Sequence, residues 1–347
     1  MRSKAANPKN DPFLVVPERA AAAGGGPDRR AERMKKKYKT LFGPVPSRRL
    51  GRSLGVDLVK LKTCTLDCIF CQLGRTTEKT VKRREAVPTQ QVLDELDDWI
   101  GCGGSADYIT LSGSGEPCLH ERFGEVLRFI RSRTDIPSVL LTNGTLITSP
   151  AVREAASLAD VVKMSISAWD RSTFQFINRP HPALDFEKII QGMKAFRDIC
   201  ANQIWIEVFL IAGVNDIPAD VRKIAQIVET VRPDRIHLNT AVRPPAEDFV
   251  NPLSDADLRR LASLFCPEAE VIADFHANAS EQVRMSEHAI LALLKRRPCT
   301  AEQIGQAFGM HVNETFKYLG ALIRSGQIHA VQKGKRKFYT ATESGTG

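Results

Sequence analysis

Residues 53–71 read Ser53-Leu-Gly-Val-Asp-Leu-Val-Lys-Leu-Lys-Thr-Cys-Thr-Leu-Asp-Cys-Ile-Phe-Cys71. The first half, Ser53–Val59, has the composition of a strand, and three cysteines follow it directly in C-x3-C-x2-C spacing. Three thiols within eight residues can wrap one metal centre. A structural zinc site commonly takes four protein ligands in two separated pairs, and no second pair is present. Three ligands on a four-iron cubane leave one iron without a protein ligand, which is a place for chemistry. The pattern therefore predicts that Cys64, Cys68 and Cys71 hold an iron–sulfur cluster. The competing readings are zinc completed by a distant histidine, or three unconnected buried cysteines.

Outward from this stretch, strand and helix patterns alternate. Asp107–Leu111, Ser138–Thr142, Val161–Ile166, Trp205–Ile211 and Arg235–Asn239 are short apolar, β-branched runs. Gln90–Ile100 carries Leu93, Leu96 and Ile100 at helical spacing, with Thr89 as N-cap. Ser149-Pro150 reads as an N-cap with a first-turn proline. Phe186–Arg197 and Ala219–Val231 are further helical patterns. Alternation of this kind implies βαβ units and a parallel sheet. Six strands suit a partial or full β/α barrel or an open doubly wound sheet, with the working loops at the strands' C-terminal ends in both.

The 347 residues suggest two domains, or one large domain with an appendage. Residues 1–40 read as a disordered basic tail with a low-complexity Ala20–Gly26 run. Residues 41–282 form the β/α domain. Residues 283–347 read as three helices (Glu287–Arg297, Ala301–Phe308, Asn313–Ser325) followed by a hairpin around Lys333-Gly334-Lys335, the pattern of a winged helix-turn-helix. The net charge of +9 is concentrated at the ends, +7 in residues 1–39 and +6 in residues 284–347, which leaves −4 between them. Any RNA or DNA contact is therefore expected at the basic termini. The helix start at His311, Asn313 and Glu314 has no arginine for reading guanine, so protein docking is the other expectation for this module. No apolar run of about 18 residues occurs, so no membrane span is expected. No signal peptide is apparent either, so a cytoplasmic location is expected. Cys102, Cys118, Cys200, Cys266 and Cys299 lack ligand spacing and read as small buried residues.

Cys64, Cys68, the aromatic Phe70 and Cys71 resemble the C-x3-C-x-aromatic-C signature of the radical S-adenosylmethionine superfamily. The resemblance covers roughly residues 42–250. Phe42-Gly-Pro-Val-Pro-Ser-Arg-Arg49, Cys71-Gln-Leu-Gly74 and Ser112-Gly-Ser-Gly-Glu-Pro117 are similar to a branch near wyosine-forming tRNA enzymes and nitrogenase-cofactor assembly proteins. The resemblance implies a partial (β/α)6 TIM-type barrel, a [4Fe-4S] cluster and S-adenosylmethionine. It places the cofactor's amine against Ser114-Gly115-Glu116, with Ser114 where the family usually has glycine. It also places Asn143, Ser165, Ser167 and Asn239 near the cofactor, and Ser167 stands where relatives often carry an aspartate. His237 and Asn239 are expected near the adenine.

The resemblance further implies that the reduced cluster passes an electron to S-adenosylmethionine, giving a 5′-deoxyadenosyl radical that takes hydrogen from a substrate. A tRNA base is one candidate substrate, and flavodoxin or ferredoxin the expected electron donor. The alternative expectation is a cluster-bearing DNA-binding regulator. Arg48, Arg49, Asn178-Arg179-Pro180, Glu207, Asn215-Asp216 and Arg243-Pro-Pro are polar groups that could face a substrate, an arginine fork suiting an anionic one. The plainer reading is that Arg48 and Arg49 brace the barrel mouth or pair with Asp57 or Glu207.

Overall fold

The computed structural model describes residues 38–47, 49–241, 245–272, 287–308, 325–333 and 336–342, together with Thr315, Tyr318, Leu319, Leu322 and Ile323. The expectations for the tail up to residue 37, Arg48, Arg243, most of the third C-terminal helix and the hairpin turn fall outside these residues. The described residues fall within one compact unit.

An eight-stranded sheet organises the chain, in the order β1 (Leu41–Ser47), β2 (Gly51–Val56), β5 (Tyr108–Leu111), β6 (Ser138–Leu141), β7 (Val161–Ser165), β8 (Gln203–Leu210), β9 (Arg235–Thr240) and β10 (Glu270–Val271). Only β1 runs antiparallel to its neighbour, and every other pair is parallel. Each new strand is added on the same side as the last. A doubly wound sheet would reverse its order at a switch point, so the consecutive order decides for barrel-like winding. Two short strands, β3 (Thr63–Cys64) and β4 (Glu78–Lys79), pair by themselves beside the main sheet.

Helices fill the crossovers. They are α1 (Thr89–Gly101), α2 (Phe123–Arg133), α3 (Pro150–Ala156), α4 (Arg171–Asn178), α5 (Phe186–Ile199) and α6 (Pro218–Val231), with α7 (Asp255–Ala262) before β10. The start of α1 differs from the expectation: Pro88 is the N-cap and Thr89 is already helical, its N–H bound by Glu85 at 2.6 Å. Tyr38 and Thr40, assigned to the tail by sequence, hold onto α1 through Asp98 (2.6 Å) and Glu95 (2.7 Å).

Side chains alternate across the sheet with the period of two that a pleat imposes. On β8, Ile204, Ile206 and Val208 join the large core under the helices, together with Val92, Leu96, Phe123, Leu127, Phe196 and Val228. Trp205, Glu207 and Phe209 lie on the opposite, inner face. Trp205 packs there with Leu50, Val139 and Val161, and Phe209 with Ile69, Ile177 and Ile211. The inner face is thus apolar at both levels, with charged residues between them.

The C-terminal segment comprises α8 (Glu287–Arg296), α9 (Ala301–Phe308), helical residues at Thr315, Tyr318, Leu319, Leu322 and Ile323, and the antiparallel hairpin β11 (Ile328–Lys333) and β12 (Arg336–Ala341). It has its own core of Ile290, Leu294, Ile304, Phe308, Leu319 and Tyr339. Three of the scattered cysteines, Cys118, Cys200 and Cys299, are buried as expected, whereas Cys102 and Cys266 are exposed. Both exposed positions lie at chain reversals between elements, where no core is within reach.

Candidate active site

The cysteine loop leaves β2 and is closed by the β3–β4 pair, so Thr63 and Glu78 stand side by side. Backbone bonds fix what lies between. Asp67 N–H donates to Asn178 C=O (3.0 Å), Ile69 N–H to Ile177 C=O (2.9 Å) and Cys71 N–H to Cys68 C=O (3.0 Å). The Asp67 carboxylate accepts the Thr76 N–H at 2.7 Å. Phe70, the aromatic of the signature, stacks face to face on Phe209 of β8, with ring centroids 4.1 Å apart. The loop is therefore tied to the end of α4 and to β8 by protein contacts.

Two side-chain amides donate to the sulfurs: Asn143 Nδ2 to Cys64 Sγ (3.5 Å) and Asn178 Nδ2 to Cys68 Sγ (3.3 Å). Burial pushes the Cys64 thiol up to about 12, helped by the negative Glu116. Burial also raises Cys68 strongly and Cys71 less, with neighbouring thiol charges adding to Cys68 and the Asp67 carboxylate to Cys71. Buried thiols that repel one another as thiolates need a cation to hold them ionised. Among the described residues no three His, Cys, Asp or Glu groups gather tightly enough for a single metal ion. A cubane asks for a wider triangle, because each thiolate takes a different iron. The donor set, three thiols with no second pair, thus fits a cluster.

The strip after β5 lies against this loop. Lys62 N–H donates to Ser114 C=O (2.7 Å) and Glu116 N–H to Thr63 C=O (3.1 Å). A Cβ on Gly115 would sit 1.8 Å from the Thr63 oxygen, so glycine is required here for approach of one backbone to another. None of these bonds uses the N–H or C=O of Gly115. The buried Glu116 carboxylate accepts from Cys118 N–H (2.9 Å), Thr142 Oγ1 (2.7 Å) and Asn143 N–H (2.7 Å). Burial raises its pKa while these donors oppose the rise. Its side chain therefore braces the end of β6. Gly115→Ala is expected to cost at least about 1–3 kcal/mol through overpacking, read as a lower urea midpoint and poorer iron uptake.

Asn143 bridges three parts of the site. Besides Cys64, its amide donates to Thr65 Oγ1 (2.8 Å), and its carbonyl oxygen accepts from the Thr145 N–H (3.0 Å) and hydroxyl (2.8 Å). Gly144 beside it has φ +79°, a conformation that suits glycine. Ser165 is half-buried at the end of β7, in register with Glu207. The Ser167 hydroxyl oxygen accepts the Phe209 N–H at 3.0 Å. Asn239 is buried and its side-chain oxygen accepts the Thr240 N–H. Asn215, a candidate substrate contact by sequence, spends its amide on the carbonyls of Ser167 and Phe209 (2.9 Å each) and is a brace. Arg179 pairs with Glu247 at 2.6 Å.

Between the two apolar levels of the inner face, Glu207 meets two cations. Lys163 Nζ lies 2.5 Å from its carboxylate, and Arg49 pairs with the same oxygen. Arg49 therefore braces the sheet through Glu207, as the plainer sequence reading has it. Asp57 holds Arg296, and Arg48 lies outside the described residues. His237, in register with Glu207 and edge-on to Trp205, has its pKa pushed down to about 3 by burial and then by Arg49 and Lys163. The unfolded chain takes up a proton near the ordinary value of 6.5 that the folded chain refuses until about 3. Stability from this group is complete above 6.5 and is lost as pH falls toward 3. His237→Gln is therefore expected to flatten the dependence of the thermal midpoint on pH between 6.5 and 4.

Lys163 was not singled out by sequence, while Asn178 was offered as a substrate contact and Asp57 as a partner of Arg48 or Arg49, not with the partners they have here. Lys163 had a readable signal, a lone cation inside the apolar run Val161-Val-Lys-Met164. The contacts of Asn178 and Asp57 come from distant segments and leave no local mark.

The sequence profile of the radical SAM superfamily matches residues 58–260. The chain belongs to that superfamily and is an enzyme that works with a [4Fe-4S] cluster and S-adenosylmethionine. It is 30% identical over 305 residues to a UPF0026 protein of Methanocaldococcus jannaschii, covering 86% of this chain and 94% of that one. It is also 32% identical over 298 residues to a protein of Brachyspira hyodysenteriae named GTPase Obg, covering 85% of this chain and 44% of that protein. The chain thus spans less than half the length of the Brachyspira relative. A radical SAM methyltransferase structure from Sphaerobacter thermophilus is similar with a TM-score of 0.47 at 16% identity, over 66% of this chain and 68% of that one. No helix among the described residues is long and apolar enough to cross a membrane.

Proposed function

We propose that this enzyme cleaves S-adenosylmethionine reductively and takes a hydrogen atom from a substrate held over the inner face of an open (β/α)6 barrel. The observation that carries this reading is the closed cysteine loop, three half-buried cysteines laid against the Ser114-Gly115-Glu116 strip. When bound, the cluster and cofactor supply the electron and the 5′-deoxyadenosyl radical. Cys64, Cys68 and Cys71 would hold the cluster, and the Asn143 and Asn178 amides would temper the charge on two of the sulfurs. Gly115 offers its backbone to the cofactor's amine. Ser114, Glu116 and Asn143 shape that seat, and Ser165, Ser167 and Asn239 lie on the strands that carry the rest of the cofactor. The Ser167 hydroxyl accepts from the backbone and still has a hydrogen to donate.

The substrate in this reading is an RNA base, with a tRNA as the first case to test, and the basic ends supply the phosphate contacts. The C-terminal segment serves as a winged helix-turn-helix. The electron comes from a flavodoxin or ferredoxin in the cytoplasm. No described residue favours a DNA-binding regulator.

Anaerobic reconstitution with iron and sulfide, then dithionite and S-adenosylmethionine, tests the chemistry. Formation of 5′-deoxyadenosine is expected, and its absence from wild-type protein with a full cluster would sink the proposal. Crosslinking to cellular RNA tests the substrate class, and recovery of no RNA above background counts against it.

A further inference from the structure

The strip that faces the cysteine loop is gripped from its other side by the C-terminal segment. Asp57, just past β2, is buried and holds Ser114 twice, accepting from its N–H at 3.1 Å and from its hydroxyl. The same carboxylate oxygen that takes the hydroxyl also takes Arg296 Nη1, from the last residue of α8. Arg296 is itself held. Its guanidinium lies over the Phe42 ring, 3.7 Å from the centroid, and that ring covers Gly55 on β2. Gly113 completes the enclosure: a Cβ there would lie 2.7 Å from Asp57 Cγ and 2.9 Å from Arg296 Nη1. Arg296 and Asp57 are 239 positions apart, so only folding of the C-terminal segment onto the sheet brings them together.

This is more than a surface ion pair. The Arg296 and Asp57 side chains are 19% and 10% exposed, and such enclosed charge-assisted bonds are stronger and more directional than exposed ones. Among the described residues, the other bonds of the Asp57 carboxylate are the two to Ser114. Moving Arg296 away would leave a carboxylate free to turn, and Ser114 would turn with it.

We infer that Arg296 is a positioning residue for S-adenosylmethionine: acting through Asp57, it fixes the Ser114-Gly115 backbone and couples the C-terminal segment to the cofactor seat. The inference rests on the reading that this strip receives the cofactor. Coupling between two sites is reciprocal. Whatever engages the C-terminal segment and shifts α8 therefore changes cofactor affinity, and the cofactor in turn steadies α8.

The experiment uses the full chain, reconstituted anaerobically and kept oxidised so that no turnover occurs. Calorimetry measures the Kd for S-adenosylmethionine, and electron paramagnetic resonance of a reduced sample records the change that the cofactor makes in the cluster signal. Arg296→Gln is expected to raise Kd about five- to tenfold, the lower range of coupling between sites, with iron content unchanged. Arg296→Lys, which keeps the charge without the fork, is expected to recover part of the loss. Lys295→Gln, one residue away, is expected to bind as wild type does. Wild-type affinity in an iron-replete Arg296→Gln protein would overturn the inference. If wild-type protein itself shows no cofactor-induced change, the reading of the strip fails instead.

Should Arg296→Gln not fold, hydrogen exchange of the wild-type holoprotein decides. S-adenosylmethionine is expected to slow exchange across residues 287–296. Unchanged exchange there, with slowed exchange at 112–118, would also overturn the inference.

Discussion

Serine in place of Cys64, Cys68 or Cys71 is expected to abolish cluster retention and bring 5′-deoxyadenosine formation down to the level of a protein-free control. Each thiolate would own a separate iron, so loss of one leaves two open corners and no closed three-point seat. The hydroxyl of serine is a harder and far less acidic donor than a thiol, and burial here already opposes ionisation. Cys118→Ser provides the contrast. Its sulfur is buried and donates to the Thr142 hydroxyl at 3.4 Å, and it lies outside the C-x3-C-x2-C run. That variant is expected to keep its iron. Iron and sulfide analysis with the visible absorption spectrum checks all four variants. A Cys68→Ser protein that retained a full cluster would remove the assignment of that ligand.

Glu207→Gln is expected to lower the unfolding free energy by about 3–5 kcal/mol, the cost of breaking a buried pair by removing one partner. Glutamine keeps the shape and loses the charge. Lys163 and Arg49 would then face each other across a neutral amide, with side chains only 7% and 16% exposed. Lys163→Met should cost less, because Arg49 still neutralises Glu207. Urea unfolding followed by fluorescence distinguishes the two. Equal midpoints for wild type and Glu207→Gln would show that the charged layer contributes nothing to stability. Burial first, and then the two cations of this layer, keep His237 neutral through the physiological range.

All six parallel strands expected from sequence are present, with ends displaced by up to three residues. Their legibility has a physical origin: strands covered on both faces read as short apolar runs. The antiparallel β1 did not read as a strand because Leu41–Ser47 contains two prolines. At the edge of a sheet a missing N–H costs no ladder bond, so proline is tolerated there. Helix α2 was readable in principle, since Phe123, Val126, Leu127 and Ile130 follow helical spacing and are buried. What sequence could not reveal is the order of strands. Barrel-like and doubly wound sheets share the same local alternation, and only pairing separates them.

The candidate site divides in the same way. The cysteines and the Ser114–Glu116 strip were legible because both are short contiguous motifs. The roles of the polar residues around them were not. Glu116 anchors β6 with its side chain, Asn178 faces a sulfur, and Arg296 reaches Asp57 from the other end of the chain. Each of these contacts is made by tertiary structure alone.

The cysteine loop is stapled at Thr63–Glu78, at Asp67 and Ile69 onto the end of α4, and at Phe70 onto Phe209. None of these staples is a metal bond. The path of the loop is thus fixed at several points by contacts that make no use of its thiols, and a change at any of them would move the sulfurs as surely as a change at a cysteine.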